Sequence, residues 1–245
     1  MSSTPGRMAA TSERRWQPPP VRVGAGSLEV IKLLAVTFMT IDHVNKYALH
    51  EAQHWMFAVG RLAMPLFVLV LGFNLARPEA TSSGAFGRTL GRLMVSALVA
   101  TPAYSAIGQL PGGWWPLNIL FALGATKAVV WLLEIRTMAS RMGAVVVFVA
   151  ARAVVGFWWP AISLGLAAWW YFKTPSWSAL GCVVASLGVV GLINGNQWAF
   201  AALPVWMMAS RFPTALPRMH AFYYVYYPAH LWVLWGVGSL LAPVT

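Results

Sequence analysis

The chain has 245 residues, of which 59% are apolar and only 9% charged, and its formal net charge is +11. A soluble domain of this length needs about a quarter of its residues charged, so the outer surface must face something other than water. Disorder, a disulfide scaffold and a zinc ribbon are excluded as well, because the chain is strongly apolar and holds one cysteine, Cys182, within the apolar run 180–190. That thiol is expected to be a buried small hydrophobe.

Residues 1–27 carry Arg7, Arg14, Arg15 and Arg22 together with Pro18, Pro19 and Pro20, and they contain no apolar core of the signal-peptide kind. They read as a disordered basic tail, cytoplasmic in the orientation derived below. Residues 28–245 read as a single transmembrane domain. Apolar segments follow at 28–45, 58–76, 93–110, 117–134, 142–158, 160–173, 178–193, 197–210 and 222–242, separated by Pro, Gly and charge at intervals suited to bilayer crossings of about 20 residues. Because 160–173 and 197–210 are short enough to be re-entrant, the expected count is seven to nine. Backbone groups in hydrocarbon must be bonded internally, and the runs lack a period of two, so the fold class is all-α, a polytopic helical bundle.

Basic residues set the orientation. With the N-terminus inside, Arg7, Arg14, Arg15, Arg22, Arg77, Arg88, Arg92, Arg136, Arg141, Lys173, Arg211 and Arg218 fall on the inner side, and Lys46 alone falls in an outer loop. Lys32, Arg61, Lys127 and Arg152 lie inside spans. Spread singly between apolar segments, these charges do not form the interleaved basic stripe of a nucleic-acid binder; the partner they imply is membrane lipid.

Charged side chains within a bilayer are costly enough to need a reason. The first span ends in Asp42-His43-Val44-Asn45-Lys46, whose neighbours Asp42 and His43 point about 100° apart on a helix. Their partners should therefore lie on other helices, unless Asp42 simply pairs with Lys46 at i, i+4. Gly60-Arg61 opens the second span at the level of Asp42, and a hairpin would let the two side chains meet, as a functional group or as a structural clamp. Arg77, Arg88 and Arg92 gather at the opposite end, where they would suit the phosphates of an anionic nucleotide cofactor or merely mark the cytoplasmic side. The aromatic stretch 222–232 contains His230, a candidate for proton transfer.

Ile31-Lys32-Leu33-Leu34-Ala35, Met39-Thr40-Ile41-Asp42-His43, Gly60-Arg61-Leu62-Ala63-Met64-Pro65-Leu66-Phe67, Arg88 with Arg92-Leu93, Asn118-Ile119-Leu120-Phe121 and Tyr223-Tyr224-Val225-Tyr226-Tyr227-Pro228-Ala229-His230-Leu231 resemble the TraX family in residues and order. From about 135 to 215 the match is in hydrophobic pattern only, and Ala122 stands where such proteins commonly have Thr. The resemblance implies an inner-membrane acetyltransferase with acetyl-CoA as donor, no metal, and the N-terminus of conjugative pilin or another acyl acceptor as its target. An amine attacks a thioester only when unprotonated, so that chemistry would need a base, and histidine titrates in the useful range. His50, His54 and His220 lie in loops, which leaves His43 and His230 in crossings. His43, at the outer level, is the expected general base; Asp42 would hold Arg61, and His230 would orient the acceptor or relay its proton. A non-enzymatic scaffold of the conjugation machinery and a proton-coupled carrier are the competing readings.

The orientation is tested with single cysteines at Ser12 and Gln53 in a Cys182→Ala background. In intact spheroplasts an impermeant thiol reagent is expected to label position 53 and spare position 12; the reverse pattern would invert the topology.

Overall fold

The computed structural model describes residues 18, 21–81, 83–108, 110, 113–156, 158–212 and 214–241. Most of the expected tail, residues 1–17 with 19 and 20, lies outside them. The first helix, α1 (Ala25–Tyr47), starts three residues before the boundary expected at Leu28, and Gly26, Ser27 and Glu29 are already buried. Next come α2 (His54–Gly60) and α3 (Ala63–Leu75), two pieces of one apolar rod spanning His54–Leu75. The remaining helices are α4 (Ser83–Gly108), α5 (Ile119–Ile135), α6 (Met138–Val154), α7 (Trp158–Lys173), α8 (Trp177–Asn194), α9 (Ala202–Arg211) and α10 (His220–Leu241). Counting α2 and α3 as one, nine helical rods are present among the described residues, an all-α bundle as expected. Three of them, His54–Leu75, Gly84–Gly108 and Trp177–Asn194, are long and apolar enough to cross a bilayer by themselves. The outer faces carry fully apolar side chains such as Val145, Leu192, Val233 and Leu240, which a membrane protein presents to lipid.

The rods alternate in direction, so the loops fall into two sets. At one end Ser27 donates to Phe212 O, Phe73 meets Phe172 and Phe172 meets Trp206, and Lys173 pairs with Glu134. Arg77 belongs to this end, its guanidinium carbon 5.1 Å from the Phe73 ring centre. At the other end are the last turn of α1, the α2–α3 junction, the isolated bridge between Leu117 and Val155, and Asn194 at the close of α8. Between them, α3 packs on α7, α10 on α4, and α1 on α2, α3, α9 and α10. Leu66, Ile162, Leu164, Leu187 and Leu231 are sealed in the interior. Small residues set the close approaches: a Cβ on Gly72 would lie 2.6 Å from the Ala168 Cβ.

Ala122 packs with Ala151, Val155 and Ile162 where α5, α6 and α7 meet, a contact its small side chain fits. Cys182 corrects the expectation of burial. It is exposed on α8, because every face of that helix is apolar and hydropathy could not say which one turns outward.

Two prolines lie beyond the first turn of a helix, Pro102 in α4 and Pro228 in α10. A proline cannot donate to the carbonyl four residues back, which for Pro228 is Tyr224 O. The buried Ser96 hydroxyl, from α4, donates to that oxygen at 2.7 Å, and Trp232 Nε1 donates back to Val99 O at 2.9 Å. The gap in one helix is thus closed by its neighbour, as a bilayer demands. Ser96→Ala should cost about 1–3 kcal/mol by leaving Tyr224 O without a donor. Adding Pro228→Ala, whose restored N–H can reach Tyr224 O, should recover most of the loss. Unfolding midpoints of the single and double variants in detergent provide the check.

Candidate functional site

Asp42 and His43 occupy the last two turns of α1 and, a third of a turn apart, face different neighbours. Asp42 faces the α2–α3 junction. Gly60 makes this approach possible, since a Cβ there would sit 2.4 Å from the Asp42 Cβ. The next residue, Arg61, lies in the two-residue turn between α2 and α3 and folds back over Asp42. Its Nη2 donates to Oδ1 at 2.7 Å and Oδ2 at 2.8 Å, Nη1 reaches Asn194 Oδ1 at 3.5 Å, and the guanidinium carbon lies 4.4 Å from the Phe57 ring centre. The Asp42–Lys46 alternative does not form: Lys46 is exposed, with its ammonium over the Tyr47 ring. Both members of the Asp42–Arg61 pair are largely shielded, each side chain 16% exposed.

His43 faces α10. Its Nδ1 lies 2.8 Å from His230 Nε2, and the two rings are within 10° of parallel. His230 Nδ1 lies 3.1 Å from Tyr226 O, an oxygen that can only accept, so this nitrogen carries the proton. In neutral His230, Nε2 is then an acceptor and His43 Nδ1 is the donor. The chain fixes the tautomer of His43 and leaves its Nε2 with a free lone pair. Tyr226 stacks on His230 with ring centres 5.4 Å apart, and its hydroxyl meets Thr40 Oγ1 at 2.8 Å; since Thr40 Oγ1 donates to Val36 O, the tyrosine is the donor in that pair. Asn45, fully buried, brackets Gln53 with two hydrogen bonds and fastens the loop that follows.

These groups enclose a cavity of about 170 Å³ lined by Asp42, His43, Arg61, Tyr104, Asn194 and Tyr227 among others. His230 stands behind His43 instead of lining it. A second cavity, of about 770 Å³, opens at the Arg77 end. Its cations are Lys32, Arg77, Arg92, Lys127 and Arg218, against the carboxylates Glu29 and Glu79. Met39, Phe67, Ile119 and Tyr227 line both cavities, so the two are neighbours and these four side chains form their shared wall.

Of the three arginines singled out in the sequence, the structure brings Arg77 and Arg92 to the second cavity and leaves Arg88 out of its lining. Arg88 is exposed and lies over Gly84, one turn back on α4. The four-residue spacing of Arg88 and Arg92 permits a shared face, but the cavity takes up Ala85, Thr89 and Arg92 from this helix. Sequence reasoning missed Glu29, which accepts from Lys32, from Tyr223 OH at 2.9 Å and from Met219 N at 3.5 Å, and so ties α1 to the start of α10. The signal available was a buried acid three residues from a lysine. Lys127 was visible only as a charge inside a span.

The TraX family model, described as TraX protein, matches residues 27–238. Two relatives named Protein TraX are similar to the chain. The first, from Escherichia coli, is 30% identical over 227 residues, 88% of this chain and 88% of its own length. The second, from Escherichia coli strain K12, is 36% identical over 112 residues, which cover 46% of this chain and 42% of that protein. No solved structure matches.

Because Asp42 and Arg61 satisfy each other, either one removed alone strands the other. Asp42→Ala and Arg61→Ala are expected to be non-additive, with a coupling of about 1–3 kcal/mol in a double-mutant cycle on unfolding in detergent. Additive losses would show that the pair holds nothing together.

Proposed function

Because the chain belongs to the TraX family, we propose that it is an acyltransferase of the bacterial inner membrane. It takes acetyl from acetyl-CoA at a cytoplasmic face and delivers it to the N-terminal amine of a conjugative pilin on the other side. The observation that carries this reading is the pair of cavities meeting at Met39, Phe67, Ile119 and Tyr227, one basic and the other holding a histidine base. Such a division suits a reaction whose donor is anionic and whose acceptor arrives from the far side. The twelve-to-one bias of basic residues supports a cytoplasmic N-terminus and, with it, a cytoplasmic basic cavity.

The residues of the basic cavity fit an anionic donor, with five cations against two carboxylates and a volume in the range of small-molecule sites. Arg77 and Arg92 would hold phosphate oxygens there. When bound, acetyl-CoA supplies a thioester carbonyl open to an amine. His43 Nε2 takes the proton from the attacking nitrogen as the carbon–nitrogen bond forms and the carbon–sulfur bond breaks, and it returns that proton to the departing thiolate. His230 is a positioning residue: it accepts from His43 Nδ1 and so keeps the lone pair of Nε2 toward the cavity. Asp42 and Arg61 close one wall and hold the last turn of α1 against α2.

A proton-coupled carrier is the second reading, favoured by the same two cavities on either side of a shared wall. The two readings part on chemistry. Purified wild-type protein is expected to incorporate acetyl into a pilin N-terminal peptide, as read by mass spectrometry. His43→Ala should lower turnover by a factor of about 10²–10⁴ at normal protein level. His230→Ala should be intermediate, and Asp42→Asn and Arg61→Ala should lose both activity and stability. Near-wild-type turnover by His43→Ala would overturn the general-base role.

A further inference from the structure

Three cations each hold a carboxylate: Lys32 has Glu29, Arg61 has Asp42 and Lys173 has Glu134. Lys127 does not. It is 5% exposed, and neither an ion pair nor a hydrogen bond among the described residues includes it. Its ammonium lies 4.9 Å from the centre of the Phe86 ring, which is itself stacked on Trp131 at 5.0 Å. The ring steadies the charge from one side but accepts none of its three N–H bonds in the way an oxygen would. An ammonium held largely away from water without a carboxylate partner is costly, and this one borders the basic cavity, whose wall it forms.

The position along α5 adds a length. Ile119 is part of the wall between the cavities, and Lys127 follows eight residues later, about 12 Å along the helix axis at 1.5 Å per residue. Leu120 and Leu123 line the cavity between them. Along α5 the cavity therefore offers Lys127, an apolar row of about 12 Å and the wall that borders His43, with Arg92 of the neighbouring α4 also in its lining.

We propose that Lys127 is an anchor for a phosphate oxyanion that heads a slender, uncharged arm, the arm reaching along Leu123 and Leu120 to present its tip at the shared wall. This rests on the acyltransferase reading, in which the oxyanion is the diphosphate of acetyl-CoA and the arm its pantetheine portion. A phospholipid headgroup has the same anionic chemistry and is the rival source. The anchor adds to Arg77 and Arg92 in the lining of the same cavity, and it takes the place that sequence spacing gave to Arg88.

The test measures binding to the full-length protein purified in neutral detergent, with CoA, pantetheine and inorganic pyrophosphate as probes, and again in nanodiscs containing phosphatidylglycerol. Lys127→Met is expected to weaken CoA binding at least tenfold and to leave pantetheine binding unchanged. Lys127→Arg should retain most of the affinity, and Arg88→Ala should change it less than twofold. The uncompensated charge also predicts a higher unfolding midpoint for ligand-free Lys127→Met than for wild type, which keeps the test independent of turnover. Wild-type CoA affinity in a folded Lys127→Met protein would overturn the anchor and leave the acyltransferase reading standing. Lys127-dependent binding of phosphatidylglycerol, with no CoA binding by the wild type, would instead sink the acyl-CoA donor for this cavity.

Discussion

The third of a turn between Asp42 and His43 governs the arrangement around the end of α1. Two adjacent polar side chains on a helix in hydrocarbon cannot serve each other, so each needs a neighbour of its own. Asp42 takes Arg61 from the α2–α3 junction, and His43 takes His230 from α10. The helix that carries both is thereby fixed against two others in rotation as well as in position. Gly60 is the space that lets the first contact close, and the stacked rings of Tyr226 and His230 fill the second.

The same demand for internal partners explains the places where the helices are broken. Pro228 lies two residues before His230, and the carbonyl it leaves open is taken by Ser96 from the neighbouring helix. Asn118 caps α5 through Leu120 N and also donates to Ala97 O and Thr101 Oγ1, in the two turns before Pro102. At Pro228 the loss in one helix thus becomes a tie between two. These ties join α4, α5 and α10, and Ile119 and Tyr227 of the wall stand on two of them.

Charge is divided along the bundle. Cations cluster around the larger cavity, with the Glu29 network drawing α1 to the start of α10, while the smaller cavity is lined by the Asp42–Arg61 pair, Lys46 and His43, whose Nδ1 meets His230 Nε2 behind it. Met39, Phe67, Ile119 and Tyr227 keep the two environments apart with four side chains.

The sequence by itself determined the class of the molecule, the succession of apolar helices and the few polar residues within them that needed partners. Composition and the spacing of charge are summed along the chain, and a strongly apolar, sparsely charged chain admits little but a helical bundle in lipid. Asp42, His43, Arg61 and His230 were legible because a polar group in hydrocarbon stands out wherever it points. What the tertiary structure decided was rotation. Helices such as α3 and α8 are apolar on every side, so no periodicity tells which face turns inward, and Cys182 turned out to lipid. Likewise Arg88 and Arg92 share a spacing but not a cavity, and Lys127 met no carboxylate. Each of these outcomes depends on how helices far apart in sequence are rolled against one another, and that roll is set by small residues such as Gly60 and Gly72 at contacts which exist only once the bundle has closed.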